Sequence, residues 1–140
     1  MPLPSETLDV VFSFSVFTHL SARDQMAWLK DLARLLRPDG LAIISIHTTD
    51  SIDSKMKKSL EWTQKALPTL EREGFYFTIF SKTGMATLND EMLAKSTSRY
   101  GYSVQTEPQV RCVWGEFFEI LEFTELAFRR HQTLVVLRRR

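Results

Sequence analysis

The sequence predicts an α/β fold built on an open, mostly parallel sheet, and three observations carry that expectation. Leu8 to Phe17 is a continuous run of valine, phenylalanine and small residues, as in a strand covered on both faces. A helical period follows it, and after a tight turn Leu41 to Ile46 forms a second apolar run. Strand, helix, turn, strand is one β-α-β unit, for which a right-handed crossover is the rule.

Taken in order, Ser21 caps the helix and Asp24, three residues on, completes an acidic capping box. Met26, Leu29, Ala33 and Leu36, with Leu32 alongside, make one apolar face from Ala22 to Leu36. Arg37 precedes a proline and so leaves helical geometry. Pro38-Asp39-Gly40 makes the turn, with a positive φ expected at Gly40.

From Asp50 or Ser51 a second helical pattern uses Ile52, Met56 and Leu60, with Lys55, Lys57 and Lys58 largely on the wet side. Pro68 is expected to interrupt it and Gly74 to end it. Gly84 to Tyr102 has no sustained period and reads as a loop or mobile lid with room for one short helix. Thr106 and Gln109 form a capping box for a helix through Val110, Val113 and Trp114. Phe117 to Phe123 is a strand, Leu126 to Arg130 a connection, and Gln132 to Arg138 the last strand. The short link makes these two strands antiparallel neighbours.

The whole reads as one domain over residues 1–140, with 49–105 as a candidate lid or insertion. Composition is ordinary for a globular protein, at 44% hydrophobic and 25% charged. A net charge of +1 gives no global field for nucleic acid or membrane, and neither partner is expected. The tail Arg138-Arg139-Arg140 is read as solubilising an end. A single cysteine, Cys112, excludes an internal disulfide and has no metal-ligand spacing around it, so a reducing cytoplasm is the default and no metal is expected. No stretch is apolar for long enough to span a membrane, and Met1 to Asp9 lacks the pattern of a signal peptide.

Four segments then carry a family resemblance. Leu8-Asp9-Val10-Val11-Phe12 with Phe17-Thr18-His19-Leu20 resembles the fourth strand and following loop of class I S-adenosylmethionine-dependent methyltransferases. Leu32 to Leu41 is similar to their turn before the fifth strand, with Asp39 where glycine is usual. Trp114 to Glu122 and His131 to Leu137 are similar to their closing hairpin. The resemblance implies the C-terminal half of a Rossmann-like methyltransferase sheet: two parallel strands, a terminal antiparallel pair and flanking helices. It implies S-adenosylmethionine as cofactor and transfer of its methyl group to an acceptor the sequence does not name.

A full member carries about three further strand-helix units ahead of this point, including a glycine-rich turn and an acid for the ribose. Glycine here stands at 40, 74, 84, 101 and 115, and none makes a G-x-G after a strand. The chain is therefore expected to act as a methyltransferase only if the missing half is supplied. The rival reading is a non-catalytic module of the same fold.

By resemblance, Ser13, Phe14, Ser15 and Val16 lie where the methionine part of the cofactor passes. Phe14 and Val16 also read as plain core. His19, just before a helix, is a cofactor-side candidate or a local cap. His47 and Thr48 follow the second strand and are candidates for substrate binding, or else a helix-capping loop beside Asp50. His131 reads as structural. Phe75, Tyr76, Phe77 and Phe80 could line an apolar pocket or belong to core, and Tyr100 and Tyr102 fall in the lid. No catalytic residue is assigned. With its neighbour missing, the strand at residues 9–16 would be an exposed apolar edge, so self-association or pairing with a partner chain is expected through it.

Overall fold

The computed structural model describes residues 3–52, 57–79 and 101–140. β1 (Leu8–Ser13) leads through a 3-10 turn (Phe17–His19) into α1 (Ala22–Leu35), and β2 (Leu36–Ile46) follows. A π-helical turn (Trp62–Ala66) runs into α2 (Leu67–Glu73), then β3 (Phe75–Ile79). β4 (Gly101–Gln105), α3 (Glu107–Trp114), β5 (Phe118–Phe128) and β6 (Gln132–Arg139) complete the chain.

β1 and β2 are parallel, and β6 runs antiparallel to both of its neighbours in a sheet of order β1-β2-β6-β5. The expected β-α-β unit and closing hairpin are both present. α1 and α3 pack on one face of this sheet. There Leu29, Leu32, Val110 and Trp114 meet Ala42, Ile44, Val135 and Leu137 in a core that also takes in Phe17 and Phe118. Phe17 meets Trp114 edge-on at 5.4 Å between ring centroids.

α1 begins with Ser21 as its cap. The Asp24 N–H donates to Ser21 Oγ at 3.2 Å, and the Ser21 hydroxyl donates to the Asp24 carboxylate at 2.8 Å. Leu29, Leu32 and Leu35 point inward from it.

Several boundaries differ from expectation, each for a local reason. β1 stops at Ser13 instead of reaching Phe17, because Ser15 sits in the left-handed region (φ 57) and breaks the extended run. After α1 the chain enters β2 at once. Leu8 pairs with Leu36 and Val10 with Leu41, so Arg37 to Gly40 bulge out of the ladder. The positive φ in that bulge belongs to Asp39 (φ 63), not to Gly40.

Gly40 is still constrained, by space. A Cβ there would lie 2.9 Å from the Arg37 carbonyl oxygen and 3.2 Å from that of Asp9. Gly40→Val is expected to cost about 1–3 kcal/mol by overpacking. Leu60→Val, at a side chain 73% exposed, should stay within about 0.5 kcal/mol. Urea melts of both variants check this, and equal midpoints would refute it. Gly84, the glycine of the expected loop, lies outside the described residues.

Pro68 does not interrupt its helix. It stands in the first turn of α2, where the chain passes from π-helical to α-helical bonding and one missing N–H is tolerated. Gly74 ends that helix in the left-handed conformation, φ 71, as expected. The buried side of this segment is Ile52, Trp62, Ala66 and Leu70. Leu60, expected on the apolar face, is exposed instead, and Met56 lies outside the described residues.

The largest departure is a second sheet. β3 and β4 pair antiparallel, Phe75 opposite Gln105 and Ile79 opposite Gly101. Phe75, Tyr76 and Phe77 are thus strand residues, and Tyr102 belongs to β4 instead of a loop. Val104 anchors this hairpin on Trp62 and Leu70, and the Tyr76 hydroxyl donates to the Glu61 carboxylate. Phe80, Tyr100 and most of the expected lid fall outside the described residues.

α3 forms where expected, but Thr106 makes no side-chain capping bond with it. β5 continues through Leu126 to Phe128, so the connection to β6 is Arg129, Arg130 and His131, with the two arginines at the centre of the turn. Both take positive φ (51 and 57), and the His131 N–H donates to the Phe128 carbonyl at 3.1 Å. Two successive positive φ values match the twist of a tight hairpin.

Candidate functional site

Because β1 and β2 are parallel, their carboxyl ends meet at one end of the sheet, where ligands of open α/β folds bind. Ser13 ends β1 there and is buried, 8% exposed. Two residues on, Ser15 is held in its left-handed conformation by a closed ring of three hydrogen bonds. The Ser15 N–H donates to Ser45 Oγ at 2.8 Å, and the Ser45 hydroxyl donates to Gln132 Oε1 at 2.6 Å. Gln132 Nε2 donates back to Ser15 Oγ at 3.0 Å. A non-glycine residue in this region costs about 1–2 kcal/mol, which three bonds of about 1 kcal/mol each can offset. The ring ties the segment after β1 to β2 and β6.

Phe14 and Val16 are not core. They are 40% and 38% exposed on the rim of this end. Phe14 stacks on Phe128 at 4.8 Å with the planes 14° apart, and Phe12 lies 5.9 Å from Phe14. The Arg129 guanidinium sits 5.4 Å from the centre of the Phe128 ring.

The two histidines of this end both engage β4. His19 Nδ1 lies 2.7 Å from the Gly101 carbonyl oxygen. It must therefore carry the proton, which makes Nε2 the acceptor of the neutral ring. His47 stacks on Tyr102 at 4.5 Å and touches the Ser103 backbone, while its own carbonyl accepts from the Gln105 N–H at 3.0 Å. Burial pushes its pKa down from 6.5 to about 4, with His19 and His131 adding smaller repulsion. His47 is thus neutral near pH 7.

Further bonds moor β4 to the segment after β1. The Ser103 hydroxyl and Gln25 Nε2 both donate to the Phe17 carbonyl, at 2.8 and 2.9 Å. Thr48 is buried, and its hydroxyl pairs with that of Thr133 at 3.1 Å.

The structure therefore brings Ser13, Ser15, His19, His47 and Thr48 to one end of the sheet. Ser15, with Ser45 and Gln132, forms a polar ring, whereas His19 and His47 serve the seam with β4. Ser45 and Gln132 were not picked out from the sequence. A serine inside the apolar run Leu-Ala-Ile-Ile-Ser-Ile was the available signal. A cleft of about 320 Å³ opens on the helical side instead, lined by Met26, Phe75, Gln109, Val113 and Trp114. Among the described residues, no three His, Cys, Asp or Glu side chains are grouped to hold a metal. Nor is any described helix long and apolar enough to cross a membrane.

Residues 1–44 match the family model described as a methyltransferase domain, a stretch that holds β1, α1 and most of β2. A search of curated proteins finds no match. Among solved structures, the chain is similar to a SAM-dependent methyltransferase from Methanosarcina mazei, at 13% identity and a TM-score of 0.63. The match covers 99% of this chain and 62% of that one. It is also similar to the PH0226 protein from Pyrococcus horikoshii OT3, at 15% identity and a TM-score of 0.56, covering 100% of this chain and 55% of that one. The chain spans little more than half the length of these structures. The chain's fold is the Rossmann-like fold of the class I S-adenosylmethionine-dependent methyltransferases.

Proposed function

We propose that this chain forms the acceptor-side half of an S-adenosylmethionine-dependent methyltransferase, and that another polypeptide segment supplies the ribose and adenine contacts. The observation that carries this reading is the Ser15-Ser45-Gln132 ring, a strained polar turn at the carboxyl end of the sheet in a methyltransferase fold. Strain held in place by surrounding bonds is characteristic of ligand sites.

The residues present fit only one end of the cofactor. Ser13 and Ser15 offer hydroxyls, and Phe14 offers an exposed apolar ring, to its amino-acid portion. For the nucleoside the chain has no G-x-G turn, and its described glycines serve other ends. Gly40 lies in a bulge, Gly74 caps a helix, Gly101 opens β4 and Gly115 ends α3. When bound, the cofactor supplies a sulfonium methyl to a nucleophile. That chemistry asks chiefly for in-line positioning, so it needs no elaborate acid-base constellation. His47 and Thr48 would face the acceptor side. The single cysteine, exposed Cys112, suits a reducing cytoplasm.

Calorimetry with S-adenosylmethionine tests the reading. The chain by itself should bind more weakly than the micromolar range, and micromolar affinity would overturn its description as a half. At millimolar cofactor, amide shifts should appear at Ser13 to His19. Their absence there would remove these residues from the site.

The alternative, a non-catalytic module of the same fold, draws on Phe12, which is 63% exposed. A completed assembly that binds cofactor but transfers no methyl group would favour it.

A further inference from the structure

Two unsatisfied features of the four-stranded sheet adjoin one another. The first is the outer edge of β1, which among the described residues has β2 on one side and no strand on the other. Its six residues, Leu-Asp-Val-Val-Phe-Ser, include no lysine or proline to block pairing. The only charge on it, Asp9, is already paired with Arg37 at 2.8 Å.

The second is the face of the sheet turned away from α1 and α3. Ala42, Ile44, Val135 and Leu137 point to the helical core, so the alternate residues Leu41, Ile43 and Val136 point the other way and stand outside that core. Val10 and Phe12, on the same side of β1, are 42% and 63% exposed.

The register shows how far the apolar surface extends. Phe12 lies opposite Ile43, Ile43 opposite Val136, and Val136 opposite Glu122. In the next row Val10 faces Leu41, then Arg138, then Glu119, and the last two close on each other as an ion pair at 2.6 Å. The face is thus apolar over β1 and β2, while in these two rows β5 presents Glu119 and Glu122, with Leu121 exposed at the bulge between them. Its apolar part borders the outer edge.

We infer that this edge and the apolar part of the open face are one docking surface, and that its occupant is a polypeptide supplying a β-strand beside β1 together with an amphipathic helix laid across Val10, Phe12 and Ile43. A second copy fits less well. Joined edge to edge about an axis normal to the sheet, two copies leave both apolar faces bare. Stacked face to face, they leave both β1 ladders unpaired. A strand-helix unit covers both features at once, with main-chain bonds for affinity and side-chain packing for specificity. The solved structures most like this chain extend well beyond it, with 38 to 45% of their length outside the match by difference from 62% and 55% coverage, so this fold accommodates such additional chain.

The test uses, as a separate polypeptide, the part of the Methanosarcina mazei methyltransferase that this chain leaves uncovered. It is mixed with the intact 140-residue chain without cofactor. Sedimentation should show a one-to-one complex, and hydrogen exchange at β1 amides should slow at least tenfold on mixing. Phe12→Asp should weaken the complex tenfold or more while leaving the urea midpoint of the chain unchanged. Val11→Pro should abolish it by removing a ladder donor. Three results overturn the inference: β1 amides already protected in a monomer, a stable dimer of the chain that refuses the added polypeptide, or no complex at all. Docking is read here without S-adenosylmethionine. A complex that forms but never transfers a methyl group would therefore refute the proposed function and leave the docking surface standing.

Discussion

Gly74→Val will destabilise the chain by about 3 kcal/mol or more, because two costs fall on one residue. Gly74 caps α2 at φ 71, where a β-branched side chain loses about 1–2 kcal/mol. A Cβ there would also stand 2.6 Å from Gln109 Cβ and 2.9 Å from Thr106 Oγ1. Gln109 Cβ cannot swing away, since it is the root of its side chain, and the Thr106 backbone is held close by its N–H bond to the Gly74 carbonyl at 2.8 Å. Gly74→Asn separates the two costs. Asparagine tolerates the left-handed region, so it should lose only the packing part. Urea melts that rank asparagine level with valine would show that crowding alone matters. A valine loss under 1 kcal/mol would refute the junction between α2 and α3 altogether.

His47 gives the second large effect, and its sign follows from its burial. In the unfolded chain this imidazole takes a proton near pH 6.5, whereas in the fold it does so only near pH 4. Between those values the unfolded state holds more protons, so stability falls as the pH falls. The contribution is present in full above pH 6.5 and is lost by about pH 4, amounting to about 3 kcal/mol. Carboxylates titrate in the same window, so the comparison has to be made against a variant. His47→Phe keeps a flat ring on Tyr102 and removes the titration. Its stability should fall less steeply than that of the parent from pH 6.5 to pH 4 in a series of urea melts. Parallel slopes would mean that His47 reaches water in the native state.

The parts of the fold that were legible in the sequence are those whose signals are local. The Leu8 to Ser13 run, the Ser21-Asp24 box and the apolar stripe of α1 each sit within a few turns of chain. So does the hairpin of β5 and β6, apart from its exact turn. The second sheet was not legible because neither strand advertises itself. Gly-Tyr-Ser-Val-Gln alternates over only four residues, and its polar members Ser103 and Gln105 are buried, facing the segments after β1 and β2, so the pattern does not mark which side is core. Its partner Phe-Tyr-Phe-Thr-Ile read equally well as a pocket lining. Pro68 misled for a related reason, because a change of helical type left no trace in the residues that bracket it.

The candidate site divides in the same way. Ser13, Ser15 and His19 could be placed from the end of one strand. Ser45 and Gln132 could not, because their importance lies in bonds spanning 30 and 117 positions of sequence to Ser15. His19 and His47 were legible as a pair at one end of the sheet, but their attachment to β4 depends on a strand that was missed.

The position of β6 has a consequence for synthesis. It follows β1, β2 and β5 in the chain yet lies between β2 and β5. As the nascent chain leaves the ribosome, β2 therefore emerges early and waits with one side unpaired. It stays so through more than eighty further residues, until Gln132 to Arg139 clears the exit tunnel. β5 has nothing to join until the same moment. The sheet closes in one late step, by insertion of a strand between two that are already out. During that interval Leu41 to Ile46 is an apolar strand with one edge open to wrong partners, the circumstance that holdase chaperones relieve. Slowing translation between β2 and β6 should therefore lower soluble yield, while the same pause placed before β2 should not.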